Sequence, residues 1–288
     1  MSQVVEDLRP GQRFEGAYAC ARKDRLTAKN GSVYLALELR DRTGSLPARV
    51  FREVDRIGLR FDRGDAVQVQ GRVERFRGDL VAEIDDAARL EPGSFDPARF
   101  LPAAYRSAEE LQGFLEHLAG EVHHDGLRAL TTTLVLDGPH AGEFRRAPAT
   151  RSGHHAYLGG LIEHTVAVGT LVGETCQLHP RLNPDVLMAA ALVHDIGKVR
   201  EFTYGAEFAI SEEGRMLGHL QMGAGMVDVA AQALEPDLRL ALVNCVLSHH
   251  GPPDGARGAE RFQTPEALAL FRVNALDAQV KGALESGL

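Results

Sequence analysis

Cysteine is scarce in this chain. Cys20, Cys176 and Cys245 are the three among 288 residues, too far apart to form a CxxC pair or a disulfide framework. That argues against a stapled secreted scaffold and against a cysteine-rich structural zinc site, and it suits a reducing compartment. Cys176 and Cys245 lie in apolar helical surroundings and read as core residues. No stretch approaches the ~18 consecutive apolar residues of a membrane span. No basic-then-apolar signal pattern opens the chain, so it reads as cytoplasmic with no membrane partner. Repeats and low-complexity segments are missing too. So is an overall basic charge: a formal net charge of -8 excludes a uniformly cationic nucleic-acid binder. The charge is uneven, with 17 basic and 15 acidic residues up to residue 90, and 15 and 25 thereafter. An acidic second half repels phosphate unless cations are held there, although a solvated acidic surface is the blander account.

What is present is ordinary globular material, 44% hydrophobic and 25% charged, at a length that suits two domains. Residues 1–90 read as β. Short strand runs at Tyr34–Leu39, Leu46–Phe51, Ala66–Val73 and Leu80–Ile84 are separated by turn residues such as Thr43-Gly44, Gly64-Asp65 and Gly78-Asp79. This spacing predicts a small barrel or sandwich. Residues 91–106, rich in Pro and Phe, read as a linker that packs on something. From residue 107 to 288 the pattern is helical. Ser107 to Glu110 forms a capping box. Helical apolar spacing follows at 161–172, 185–193, 219–234 and 238–247, and Pro265 opens a last helix. The fold class predicted is α+β in two domains.

The histidines are distributed with more pattern than chance suggests. His164 lies within one helical segment, His194-Asp195 ends another, His219 opens a third, His249-His250 ends a fourth, and Asp277 lies in the last. A lone histidine in a helix is most often a core or surface residue. It is the joint order at helical intervals that points to a divalent transition-metal site of imidazole and carboxylate ligands. At a helix end His194 and Asp195 can both reach one cavity, and Asp195 can bridge two ions. Two ions can together activate a water and neutralise a phosphate oxygen. Lys198, three residues after Asp195, lies on the same face and is placed to contact a substrate phosphate. His117, His123, His124, His140 and His179 lack such context and read as surface residues.

The segments Gly159–Thr165, Leu192–Lys198, Met216–His219 and Leu247–Gly251 resemble the motifs of the HD-domain phosphohydrolases. With the N-terminal β region, the resemblance narrows to YhaM-like 3′→5′ exoribonucleases and covers about residues 5 to 277. It implies an N-terminal OB-fold β-barrel followed by an all-α HD domain. It also implies one or two divalent ions, most often Mn2+ though other divalent ions serve, and metal-dependent hydrolysis of single-stranded RNA or DNA from the 3′ end. Family members also form homo-oligomers. The implied first ion is held by His164, His194, Asp195 and either Asp277 or Asn274, and the second by Asp195, His219, His249 and His250. The family's usual metal-binding Asp aligns with Asn274, a weaker neutral ligand, and Asp277 matches a second Asp. The stretch 148–157 resembles the family segment before the first ligand helix, so two roles stand open for His154 or His155, contact with the scissile phosphate or proton donation on the one hand and mere capping or packing of that helix on the other, with Arg151 beside the nucleic acid. On the barrel, Tyr34, Arg49 and Arg75 are the expected strand contacts, combining stacking with charge, whereas Phe51 reads as core. Two rivals remain at this point. One is an HD phosphohydrolase of nucleotides or cyclic dinucleotides. The other is a non-catalytic single-strand binder whose HD site has decayed at Asn274.

Overall fold

The period-two alternation of the first ninety residues becomes a closed five-stranded barrel. Its strands are β1 (Arg13–Thr27), β2 (Val33–Asp41), β3 (Gly44–Val50), β4 (Ala66–Phe76) and β5 (Asp79–Arg89), in the order β1-β2-β3-β5-β4. All pairings are antiparallel except β3 with β5, and β4 returns to β1 to close the sheet. Closure removes the exposed edges that an open sheet would leave. The short helix α1 (Val54–Gly58) connects β3 to β4, and its Ile57 is buried in the barrel core with Phe14, Tyr18, Leu37, Leu39, Val67 and Val69. This is the OB-fold architecture expected. The structure is a computed structural model describing residues 3–91, 93–252 and 262–288.

Strand β1 is the longest of the five, and no sequence signal marked it. Its run RFEGAYACARKDRLT mixes small and charged residues, and its buried positions are consecutive rather than alternating before a bulge between Cys20 and Arg22.

The chain divides into two compact units: Met1–Pro102 with Tyr204–Ala209, and Ala103–Thr203 with Ile210–Leu288. Residues up to Pro102 therefore group with the barrel, where Phe95 and Phe100 pack with Ala17, Ala19 and Ala66.

The second unit is helical. Its helices are α2 (Ala108–Gly120), α3 (Asp125–Thr131), α4 (Ala141–Arg146), α5 (Gly160–Leu178), α6 (Pro184–Val193), α7 (Lys198–Glu201), α8 (Glu212–Ala230), α9 (Pro236–Ser248) and α10 (Pro265–Glu285). A two-stranded ribbon, β6 (Phe202–Tyr204) with β7 (Phe208–Ile210), lies between α7 and α8. Ser107 caps α2 through its hydroxyl, which accepts from the Glu110 N–H. Every residue of α6 from Val186 to Val193 is buried. A helix apolar on all sides belongs at the centre, and α5, α9, α10 and α2 pack around it. The pair His194-Asp195, directly after its last turn, is thereby delivered to the interior. No helix among the described residues is long and apolar enough to cross a membrane.

Two glycines bring the next histidine to that point. At Gly197 a β-carbon would lie 2.1 Å from the His219 carbonyl oxygen, so only glycine lets α8 approach the turn after Asp195. Gly218, with φ of 71°, breaks α8 just before His219. His219 thus opens the second half of a helix that begins at Glu212, not a new helix. The first half lacks the apolar periodicity that would have revealed it. Gly197→Ala is expected to destabilise the helical unit by about 2 kcal/mol through backbone overpacking. The check is an earlier urea transition in helical ellipticity, and an unchanged midpoint would contradict it.

Candidate metal centre and barrel surface

Two helix ends and three positions within helices supply the centre. His164 comes from α5, His194 and Asp195 from the end of α6, His219 from α8, His249 and His250 from the end of α9, and Asn274 from α10. Asp195 is 1% exposed and its two oxygens face different histidine pairs. Oδ2 lies 3.3 Å from His194 Nε2 and 3.6 Å from His164 Nε2. Oδ1 lies 3.3 Å from His249 Nε2 and 3.6 Å from His219 Nε2. Lys198 donates to Oδ2 at 2.6 Å. Burial by itself would raise the Asp195 carboxyl, but the Lys198 ammonium and His194 hold it well below the usual carboxylate range.

Outer partners set which nitrogens carry protons. His194 Nδ1 donates to the Ala191 carbonyl and His249 Nδ1 to the Val246 carbonyl, both at 2.7 Å. His219 Nδ1 lies 3.2 Å from Glu201 Oε1, and His164 Nδ1 lies 2.6 Å from Asp277 Oδ2. Carbonyls and carboxylates only accept, so each imidazole turns an unprotonated Nε2 toward the cavity. Burial pushes the His164 imidazole down to about 4, His249 to about 3 and His250 to about 4, which keeps those three rings neutral.

The result is a set of acceptors facing acceptors. His194 Nε2 is 3.3 Å from His164 Nε2, which is 2.9 Å from Asn274 Oδ1, while the Asn274 amide donates to the His249 carbonyl. Asp195 Oδ1 and His249 Nε2 are buried with no hydrogen-bond partner. Lone pairs crowded to about 3 Å repel one another, whereas donors around one ion with ~2.1 Å bonds stand at about that spacing. The residues therefore fit divalent cations in two groups that share Asp195: His164, His194 and Asp195, with the Asn274 oxygen beside His164, and Asp195, His219, His249 and His250. His155, His164 and Asp277 also approach one another. There Asp277 Oδ2 accepts from both rings, and no atom is left unsatisfied.

The cavity over these groups has a volume of about 330 Å³. Lys198, His154 and Arg151 line it, and so do Phe271 and Gln279, which carried no sequence signal. His154 faces the cavity and its imidazole is pushed below its ordinary value by burial and by Lys198. His155 points away: it is 1% exposed, and its ring lies between Asp277 at 3.0 Å and Glu163 at 3.1 Å. Burial opposes its protonation, but those two carboxylates outweigh it and raise the imidazole. Asp277 addresses the far nitrogen of His164, while Asn274 faces the cavity. Glu201 and Glu163, which orient their imidazoles, were missed; only their adjacency to Lys198 and His164 hinted at them.

On the barrel, Tyr34 stacks against Phe51 with ring centroids 5.5 Å apart, and the Arg49 guanidinium lies 4.2 Å over the Phe76 ring. Phe51 is 45% exposed and Phe76 44%, so the expectation that Phe51 fills the core is overturned. It is the residue directly after β3, past the point where the inward alternation ends at Val50. Arg75 is also exposed, with its guanidinium on the Gly78 carbonyl at 3.2 Å. Phe51 and Phe76 therefore leave aromatic surface exposed, and the Phe76 ring has the Arg49 and Arg77 guanidinium groups beside it.

Residues 161–279 match the HD domain family, and residues 20–88 match an OB-fold nucleic acid binding domain. The chain is 28% identical over 289 residues to a protein of Shouchella clausii named 3′-5′ exoribonuclease YhaM, covering 97% of this chain and 88% of that one. It is also 28% identical over 273 residues to the protein of that name from Oceanobacillus iheyensis, covering 94% and 85%.

Imidazoles held below 6.5 bind fewer protons in the folded chain than in the unfolded one. Between 6.5 and about 4, acid therefore favours unfolding. The raised His155 acts oppositely, but its contribution is complete below 6.5 and fades only as the pH rises through its raised value. The metal-free protein is expected to lose melting temperature as the pH falls through that window, and His249→Asn should make the fall shallower. A melting temperature that stays level or rises there would contradict the neutral-imidazole account.

Proposed function

We propose that this chain, which joins an N-terminal OB-fold to a stretch matching the HD domain family, is a metal-dependent 3′→5′ exonuclease of single-stranded RNA, with DNA as a second substrate. The observation that carries the reading is Asp195, whose two buried oxygens each face a pair of unprotonated imidazole nitrogens. His164, His194, Asp195 and Asn274 would hold one ion, and Asp195, His219, His249 and His250 the other. When bound, a pair of divalent ions, manganese foremost, supplies Lewis acidity that activates a water and neutralises charge on the phosphodiester.

The chain's own residues do the rest. Lys198, tethered to Asp195, offers its ammonium to a non-bridging phosphate oxygen. Arg151 supplies a second cation at the cavity. His154, the cavity-facing member of the His154-His155 pair, is placed to pass a proton to the departing 3′ oxygen of the shortened strand. The small cavity suits one terminal nucleotide at a time, which supports exonucleolytic rather than internal cleavage. On the barrel, Tyr34, Phe51 and Phe76 offer base-stacking faces, with Arg49 and Arg75 against the backbone phosphates. This arrangement tolerates any sequence because every base has a π-face.

With Mn2+ added, a 5′-end-labelled single-stranded RNA should shorten in single-nucleotide steps, and Asp195→Asn should abolish shortening. Metal-loaded protein that leaves both RNA and DNA intact would overturn the proposal. Phe76→Ala should raise KM for a long single strand about 5- to 100-fold, the cost of one lost stacking contact, with little change in kcat. An unchanged KM would remove Phe76 from the strand-binding surface.

A further inference from the structure

Asp277 gives one oxygen to two rings. Oδ2 lies 2.6 Å from His164 Nδ1 and 3.0 Å from His155 Nε2. The opposite nitrogen of His155, Nδ1, lies 3.1 Å from Glu163 Oε2 and 3.0 Å from the Tyr157 hydroxyl, which itself donates to Glu163. The backbone at His155 is left-handed, with φ of 51°, a conformation that a residue with a β-carbon adopts at a cost. Contacts on both sides hold it there. Its N–H donates to Glu285 Oε2 and its carbonyl accepts from the Ala149 N–H, both at 3.1 Å. Helix α10 thus reaches the segment before α5 through Asp277 and Glu285, and Lys281 adds an ion pair to Glu163 at 3.6 Å.

The other side of His164 has a contrasting feature. Its Nε2 faces the cavity beside Asn274, whose carboxamide oxygen brings no formal charge to an ion. Asp277 stands one helical turn further along α10. It places a full negative charge on the same imidazole from behind, without taking a coordination position.

We infer that Glu163, His155 and Asp277 form a relay behind His164 that sets its donor strength and compensates for the neutral Asn274 at its ion. A carboxylate on the far N–H of a ligating imidazole fixes the ring's tautomer and orientation and strengthens it as a donor. Asp277 is the group that does this, and His155 is a positioning residue that holds the Asp277 oxygen on that nitrogen. Neither residue touches substrate. The inference rests on the proposed metal site, applied to one of its two ion positions.

The test is a calorimetric titration of the metal-free full-length chain with Mn2+, paired with electron paramagnetic resonance of the loaded protein. Wild type is expected to take up two equivalents and show a spin-coupled pair. Asp277→Asn and His155→Gln should weaken one equivalent about 10- to 100-fold, leave the other unchanged, and give an uncoupled single-ion signal at limiting metal. Asn274→Asp should tighten the affected equivalent and shrink the loss caused by His155→Gln, because the two contributions serve one ion. If Asp277→Asn does not fold, the isosteric Glu163→Gln reads the same equivalent from the outer end of the relay. Two equivalents bound at wild-type affinity in these variants would overturn the relay and leave the metal site intact. Uptake of no manganese by wild type would overturn both.

Discussion

A carboxylate buried at the end of a wholly apolar helix is the constraint around which the helical unit is arranged. Removing Asp195 from water is costly unless its charge is met inside. Lys198 meets one oxygen, and among the described residues the other has only imidazole lone pairs near it. Such a site is incompletely balanced by protein alone. Cations between Asp195 and the histidines would complete it, and the same cations are what the proposed phosphodiester chemistry requires. The electrostatic defect and the proposed activity therefore have a common origin.

The outer partners make the defect persistent. Backbone carbonyls hold His194 and His249, and carboxylates hold His164 and His219. Each ring is locked with its unprotonated nitrogen inward before any ion arrives, so little reorganisation accompanies binding. A site decayed into a mere binding scaffold would have no reason to retain this arrangement. Asn274 in particular keeps its oxygen on the cavity side by giving its amide to the His249 carbonyl.

Legibility from sequence tracked the physics of each signal. The barrel was legible because β2, β3 and β4 alternate in burial, whereas β1 was hidden by its alanines, glycine and charges. The segments bearing His164, His194-Asp195 and His249-His250 were legible because each lies in or ends an apolar helix, and the structure does bring these side chains together. Whether Asn274 or Asp277 faces the cavity was not legible: they are three residues apart on one helix, and the rotation of α10 depends on packing. His154 and His155 differ only through the left-handed backbone at His155, which adjacent residues of the same type cannot announce. Phe51 misled because a phenylalanine next to a strand looks like core until the barrel wall is known to end at Val50.

Two ions sharing Asp195 are the central claim, and anomalous diffraction from crystals of the manganese-loaded protein tests it directly. The expected result is two peaks ~3.5–4 Å apart, one on each side of the Asp195 carboxylate, with Asp277 in contact with neither. A single peak, or a peak among His155, His164 Nδ1 and Asp277, would contradict it.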